Sequence, residues 1–266
     1  MVDPNGISQN YTENGYVTAL DLFSQDEIAA YRQCFDALEA REGKENCQIG
    51  LQARHFDEEF IWRMASDSRI IDLIASVMGE DILLLGTHFF CKYPDPDGEK
   101  FVAWHQDVTY WGLEPPEAHT AWIAIDDSMA DNGCLRVIPA SHCQEKLHAH
   151  LKEDRDDVVL NQRVDAAAFN ATQAIDIELE AGQMSLHDVY LVHGSNPNLS
   201  IRRRAGIAIR YMPGSSHFDR KIAGPSAEVS YTIDFSQRPI WLLRGEDQTG
   251  LNDLQVGHKP PGTSRG

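Results

Sequence analysis

Trp104-His105-Gln106-Asp107-Val108-Thr109-Tyr110-Trp111 is the stretch on which the fold of this chain turns. Side chains alternate faces along an extended strand, so His105 and Asp107 point the same way and can converge on one cation. A neutral imidazole beside a carboxylate suits iron. Two histidines and one carboxylate that leave positions open form the facial triad of non-haem iron sites. The pair alone is common in sequences. It requires a second histidine, distant in the chain, and a fold that brings that histidine back.

Eleven histidines are available. His148-Ala149-His150 has close spacing but sits in an acidic stretch with no strand behind it, which reads as surface. His187 reads as a core histidine, with a supporting role near the site as the alternative. His193 ends an apolar, β-favouring run and is followed by Gly194-Ser195, with Arg204 at the start of the next strand. A guanidinium fork can hold a carboxylate bidentately, as a dicarboxylate cosubstrate would require.

Outward from these blocks, short β-favouring runs alternate with turns over 82–212, among them the exposed Pro94-Asp95-Pro96-Asp97-Gly98 and Asp131-Asn132-Gly133. Ahead of them, Ser24-Gln25-Asp26-Glu27 carries a capping-box pattern. Ile28, Tyr31, Phe35 and Leu38 follow at helical spacing, and a second apolar helical face is expected over 68–78, stopped by Gly79. This order predicts a mainly β chain with flanking helices, a sandwich or jelly roll. We expect one domain over 1–256: a helical buttress over about 24–79, the β core over 82–212, and a disordered tail over 257–266. The polar stretch 142–170 reads as a lid or as a bare solvated linker. Ile240-Trp241-Leu242-Leu243 must find a surface to cover.

Composition limits the partners. The chain has 266 residues, 42% of them hydrophobic and 24% charged, ordinary for a soluble domain, but its net charge is −18. So strong an acidity argues against nucleic acid or an anionic membrane surface. No run approaches the roughly 18 apolar residues of a membrane span. The five cysteines include no Cys-x-x-Cys pair, and with no apolar signal segment they read as reduced thiols in a cytoplasmic protein. Oligomeric state is not legible.

Taken together, Trp104-His105-Gln106-Asp107, Trp122-Ile123-Ala124-Ile125-Asp126-Asp127, Asn132-Gly133-Cys134-Leu135, Val137-Ile138-Pro139-Ala140-Ser141-His142 and His193-Gly194-Ser195 form an ordered set, completed by Asn198, Ser200, Arg204 and Arg210-Tyr211. Over 15–211 the chain resembles the phytanoyl-CoA dioxygenase (PhyH) family, Fe(II)- and 2-oxoglutarate-dependent oxygenases on a double-stranded β-helix. The resemblance implies that His105, Asp107 and His193 hold Fe(II), with O2 and 2-oxoglutarate as cosubstrates. Arg204 and Ser195 would hold the distal carboxylate of 2-oxoglutarate, beside Trp122 and Thr120. Trp111 would meet the substrate or simply pack, and His88 would border the pocket as support or contact. Where the family has Pro-Gly-Ser-His, this chain has Pro139-Ala140-Ser141-His142, which predicts a reshaped turn because alanine takes a positive φ less readily than glycine. Halogenating relatives replace the carboxylate ligand with a small residue. Asp107 is intact, which favours hydroxylation.

For the substrate, acidity at the mouth of the site would favour a neutral, zwitterionic or amine-bearing small molecule, with Tyr110 and Trp111 offering a cation–π face. An amino acid derivative, a betaine-like compound or an aminophosphonate such as 2-aminoethylphosphonate would fit. Arg54, His55 and Lys92 are the candidates for a phosphonate corner. Two alternatives stand beside hydroxylation: desaturation, epoxidation or cyclisation of a natural-product intermediate, and a non-catalytic jelly-roll protein that binds or stores metal.

Overall fold

Strand Arg204–Pro213 shows how the molecule is layered. Ala205, Ile207, Ile209 and Tyr211 pack in one apolar core, while Arg204, Gly206, Ala208 and Arg210 alternate with them and face the other way. Strict alternation of this kind marks a strand buried on both faces but in different company: helices on one side, a second sheet and a polar cleft on the other.

The computed structural model describes residues 4–109, 111–143, 145–152, 162–223 and 235–254. The chain opens with α1 (Pro4–Asn14) and β1 (Tyr16–Asp21), followed by α2 (Gln25–Glu42), α3 (Lys44–Ile49), α4 (Glu59–Ala65) and α5 (Ser68–Met78). Then come β2 (Ile82–Lys92), β3 (Val102–His105), β4 (Leu113–Glu114), β5 (His119–Ala124) and β6 (Leu135–Val137). The short pair β7 (His150–Lys152) and β8 (Gln162–Val164) precedes β9 (Ile175–Ile177), β10 (Gln183–Asp188) and β11 (His193–Ser195). The long β12 (Arg204–Pro213), β13 (His217–Phe218) and β14 (Trp241–Arg244) complete the set.

A six-stranded major sheet runs β1-β10-β5-β12-β2-β14, and a four-stranded minor sheet runs β3-β11-β6-β9. The neighbours are antiparallel and come from distant parts of the chain, as in a jelly roll. The expected fold class is the observed one. The run at 240–243 finds its surface as the edge strand β14, paired to β2.

The buttress has more helices than the two expected. The capping box is present as read: Glu27 N donates to Ser24 Oγ at 3.3 Å and Ser24 N to Glu27 Oε2 at 2.8 Å. Ile28, Phe35 and Leu38 of α2 and Ile70 and Ile74 of α5 are fully buried against the outer face of the major sheet, each contributing roughly 1.5–3 kcal/mol of hydrophobic stabilisation. The Tyr211 hydroxyl donates to Ala65 O at 2.9 Å, pinning α4 to β12. The polar N-terminus is helical as α1. Its Tyr11 hydroxyl lies 2.6 Å from His119 Nδ1 at the start of β5.

Among the described residues of the 142–170 stretch, β7 and β8 pair antiparallel and a 3-10 turn follows at Ala166–Ala168. His150 is not a bare surface group: its Nδ1 donates to His148 O at 2.9 Å, so its Nε2 accepts from Gln106 N at 3.3 Å. Gln106 Nε2 donates to Lys146 O and Tyr190 O, and its Oε1 accepts from His148 N. This stretch is therefore stitched to the residue between His105 and Asp107. The expected tail 257–266 and Tyr110 lie outside the described residues.

Candidate metal centre and cosubstrate cleft

His105 and His193 come together because they are cross-strand partners. They face each other where β3 pairs with β11, with ring centroids 4.1 Å apart. Each Nδ1 lies 2.9 Å from a backbone carbonyl two residues earlier, Ala103 O for His105 and Leu191 O for His193. A carbonyl only accepts, so both Nδ1 atoms carry the proton and both Nε2 atoms present lone pairs. Asp107, in the 3-10 turn directly after β3, places Oδ1 3.6 Å from His105 Nε2 and 4.0 Å from His193 Nε2. One ligand atom from each of the three lies within 4.8 Å of the others, and all three residues are buried. Burial and then the neighbouring His105 push the His193 imidazole well below its usual range, which keeps it neutral and fit to ligate.

The other carboxylate oxygen of Asp107 meets the major sheet. Thr120 Oγ1 donates to Oδ2 at 3.4 Å, Arg210 Nε lies 3.7 Å from it, and His187 Nε2 lies 3.9 Å from it. These three form a single row: His187 pairs with Thr120 across β10 and β5, and Thr120 pairs with Arg210 across β5 and β12. Burial works to raise the Asp107 carboxyl, but Arg210, His105 and His187 hold it well below the ordinary carboxylate range. One oxygen is thus turned to the two imidazoles and the other to the Thr120 hydroxyl, flanked by Arg210 and His187. A carboxylate fixed at both ends is a preorganised single-oxygen ligand.

At the far end of the same cleft Arg204 is buried, its Nη1 donating to Phe90 O at 3.1 Å and its Nη2 to Gly133 O at 2.9 Å. Its guanidinium lies over the Trp122 ring at 5.4 Å. The indole fits there because residue 206 is glycine: a Cβ at Gly206 would come within 2.1 Å of the ring. Arg204 Nε has no partner among the described residues. Burial lowers the guanidinium to about 10, which still leaves it charged at neutral pH. Lys92, paired across the strands with Arg204, donates to Ser195 Oγ at 2.6 Å and bonds Asn196 O, so the Ser195 hydroxyl proton is left to point into the cleft. Asn198 closes the connecting loop by donating to Lys92 O and Arg202 O.

His105, Asp107, His193, Thr120, Trp122, Ser195, Arg204, Arg210 and His187 all line one cavity of about 470 Å³, counting its open mouth. Three substrate candidates lie elsewhere. Trp111 is buried in an apolar cluster with Leu83, Leu85 and Met212 and stacks on Arg210 at 5.1 Å, so it packs. His88 donates from Nε2 to Ile49 O at 2.5 Å and stacks on Phe90; burial, then Arg210, lowers it to about 3, making it neutral support. Arg54 is absent from the lining, with its guanidinium committed to Glu42, Asp57 and Glu58. The expected phosphonate corner therefore does not form. Arg54 belongs to the buttress, His55 sits 2.8 Å from Thr87 Oγ1, and Lys92 serves Ser195.

The sequence reading missed the row. In the sequence His187 reads as a core histidine or a support near the site, and Arg210 as part of a motif without a role. A signal was present: β12 alternates arginine, glycine, alanine and arginine on one face, too polar for a core.

The phytanoyl-CoA dioxygenase (PhyH) family model matches residues 11–206. A phytanoyl-CoA dioxygenase domain-containing protein 1 homolog of Dictyostelium discoideum is 28% identical over 161 residues, covering 60% of this chain and 55% of its own length. A probable alpha-ketoglutarate-dependent hypophosphite dioxygenase of Stutzerimonas stutzeri is 24% identical over 222 residues and 76% of each chain. Among solved structures, the apo form of the non-haem monooxygenase ThoJ is 24% identical and superposes with a TM-score of 0.68, covering 92% of this chain and 86% of that one. CytC3 with Fe(II) and alpha-ketoglutarate is 20% identical and superposes at 0.66 over 95% and 92%.

Proposed function

Because the chain belongs to the phytanoyl-CoA dioxygenase family, and is as such a 2-oxoglutarate-dependent dioxygenase that works with Fe(II), we propose that it hydroxylates an unactivated C–H bond of a small molecule. The observation that carries this reading is the convergence of two lone-pair Nε2 atoms and Asp107 Oδ1 on one point of a buried cleft. His105, Asp107 and His193 would hold the metal. The donor set would suit iron: two imidazoles that present Nε2 and one carboxylate, all lining the cavity. When bound, iron with 2-oxoglutarate and O2 supplies the oxidant; one oxygen atom ends in succinate, the other in the substrate's new hydroxyl, and CO2 leaves.

The chain's own groups orient and shield. Arg204 and Ser195 hold the distal carboxylate of the cosubstrate: Arg204 keeps Nε uncommitted, and Ser195 is turned by Lys92 to donate. Trp122 gives that end an apolar floor. Thr120, His187 and Arg210 keep Asp107 from rotating, and the apolar walls Phe90, Val102, Leu135 and Ala208 keep water from the reacting carbon.

For the substrate, the acidity of the whole chain does not reach the cavity. Among the described residues Asp107 is the one carboxylate in its lining, against Arg204 and Arg210. An amine alone would find no counter-charge there. Of the candidates, a zwitterion such as an aminophosphonate or amino acid derivative fits best, because its acidic end has an arginine to meet. The relative named for hypophosphite, a small phosphorus oxyanion, points the same way.

Anaerobic titration with Fe(II) and 2-oxoglutarate tests the class: a visible metal-to-ligand charge-transfer band is expected, and its absence at saturating iron would overturn the proposal. A product heavier by one oxygen supports hydroxylation. A product lighter by two hydrogens would make the reaction a desaturation.

A further inference from the structure

We propose that Arg210 and Arg238 together form a subsite for an oxyanion, so that the primary substrate carries a carboxylate, phosphonate or phosphate group held beside the metal ligands. The proposal rests on the dioxygenase reading and names the substrate class for that site.

The row that ends at Arg210 continues onto β2. Arg210 pairs with Gly86 across β12 and β2, and directly opposed residues of an antiparallel pair project to the same face. Gly86 projects nothing, and the vacated space is filled by Arg238: a Cβ built on Gly86 would lie 3.1 Å from Arg238 Nη1 and 3.4 Å from its Cζ. Two guanidinium groups thus stand next to each other over the inner face of the major sheet.

Neither is neutralised by a partner that would explain it. Among the described residues, Arg238 has no side-chain hydrogen bond and no ion pair. Arg210 has only Asp107, at 3.7 Å from its Nε, and that carboxylate is the proposed metal ligand. Arg210 is buried to 9% exposure. Like charges held together away from water are costly unless an anion lies between them. By contrast, Arg54 of the buttress has three carboxylates and Arg203 has Asp36, Glu39 and Asp126. Burial and the proximity of Arg210 bring the Arg238 guanidinium down to about 9, still charged at neutral pH.

The pair is also built, not adrift. Arg238 lies flat on Phe235 at 3.9 Å, and Arg210 lies over Trp111 at 5.1 Å and Phe90 at 6.0 Å. Stacking fixes the planes and leaves the in-plane N–H edges free for an oxyanion. The main chain of Arg238 is fastened by Arg220, whose Nη1 donates to Ser236 O at 2.9 Å and Arg238 O at 2.6 Å. Since strands lie roughly 5 Å apart, an anion between the two forks sits within about one strand spacing of Arg210, the end of the row that touches Asp107. That leaves a short substrate with its reactive C–H near the ligands.

The test is calorimetric titration of the full-length protein, loaded with Ni(II) in place of iron and saturated with 2-oxoglutarate. The probes are phenylphosphonate, 3-phenylpropionate and phenethylamine. Both anions are expected to bind, the tighter one telling phosphorus oxyacid from carboxylic acid, and the amine is expected not to. Arg238→Gln should weaken anion binding at least about tenfold, the loss of a charge-assisted contact, while leaving 2-oxoglutarate affinity unchanged. Gly86→Ala, which crowds the guanidinium without removing it, should weaken it in the same direction by less. The proposal is overturned if the amine is preferred, if both variants bind the anions as the parent does, or if rising 2-oxoglutarate displaces the anions, which would place them at Arg204. The Fe(II)–2-oxoglutarate band separates the two readings. Anion binding without the band removes the dioxygenase reading and leaves the subsite; the band without anion binding removes the subsite alone.

Discussion

The two sheets that wall the cleft make their contributions in opposite ways. The minor sheet offers His105 and His193 from neighbouring strands, with Asp107 one turn beyond. The major sheet offers Thr120, His187 and Arg210 from three strands that meet only through register. On the proposed reading the first set binds and the second positions, since Oδ1 of Asp107 faces the imidazoles and Oδ2 the row. Removing a ligand should therefore be catastrophic, and removing a member of the row should be graded.

The largest effect is expected from His105→Ala, which removes a metal donor and should abolish turnover and reduce stoichiometric Fe(II) binding, read by metal analysis after desalting. Because the pairing of β3 with β11 does not depend on the ring, circular dichroism should be unchanged. Full turnover in this variant would refute the division between the two sheets. Next comes Arg204→Gln, at the end of the major sheet that meets the cosubstrate. Loss of the charge should raise the KM for 2-oxoglutarate roughly thirty- to a hundredfold with a smaller change in kcat, and Arg204→Lys should recover part of it. Equal losses in the Gln and Lys variants would mean that burial and shape, not charge, set that end.

Thr120→Val sharpens the comparison most directly, since it keeps the shape and deletes one donor to Oδ2. A drop in kcat of about three- to tenfold is expected, with the KM for 2-oxoglutarate unchanged, as befits one hydrogen bond acting beside the longer contacts of Arg210 and His187. A loss as large as that of His105→Ala would make Thr120 part of the binding set.

The same division decides what could be read from the sequence. His105 and Asp107 are two residues apart, and His193, Ser195 and Arg204 lie in one short block, so local spacing and a family pattern exposed them. The row could not be read that way. Nothing near His187 says that it stands beside Thr120, because that neighbourhood is fixed by strand pairing across the whole β core. Arg238 was invisible for a related reason: its significance lies in the missing side chain of Gly86. Arg54 failed in the opposite sense. A basic residue near a predicted site looked available, but three carboxylates of the buttress already neutralise it. Net charge was no guide to the cleft, where the described lining sets Asp107 against Arg204 and Arg210.

The smallest effect concerns the turn at 139–142, where a reshaped backbone was expected because alanine replaces glycine. The backbone is not reshaped: Ala140 takes the left-handed conformation at φ 59°, and the turn stays closed. Surrounding bonds hold it there. Ala140 N donates to Asn14 O at 2.8 Å, Ile138 N donates to Val192 O at 2.9 Å, and Ser141 Oγ accepts from Val192 N at 2.9 Å. The last two fasten the residue next to His193, so the turn supports the minor sheet at its ligand. The chain bears the strain rather than loosen that support. Ala140→Gly should relieve it and stabilise the fold by about 1 kcal/mol, partly offset by the greater freedom of glycine in the unfolded chain, measurable as a higher urea midpoint at unchanged slope. Turnover should not change, because the turn already has the geometry that glycine would give it. A gain in activity with the gain in stability would mean that strain at Ala140 reaches His193, and the minor sheet would then be less rigid than its hydrogen bonds suggest.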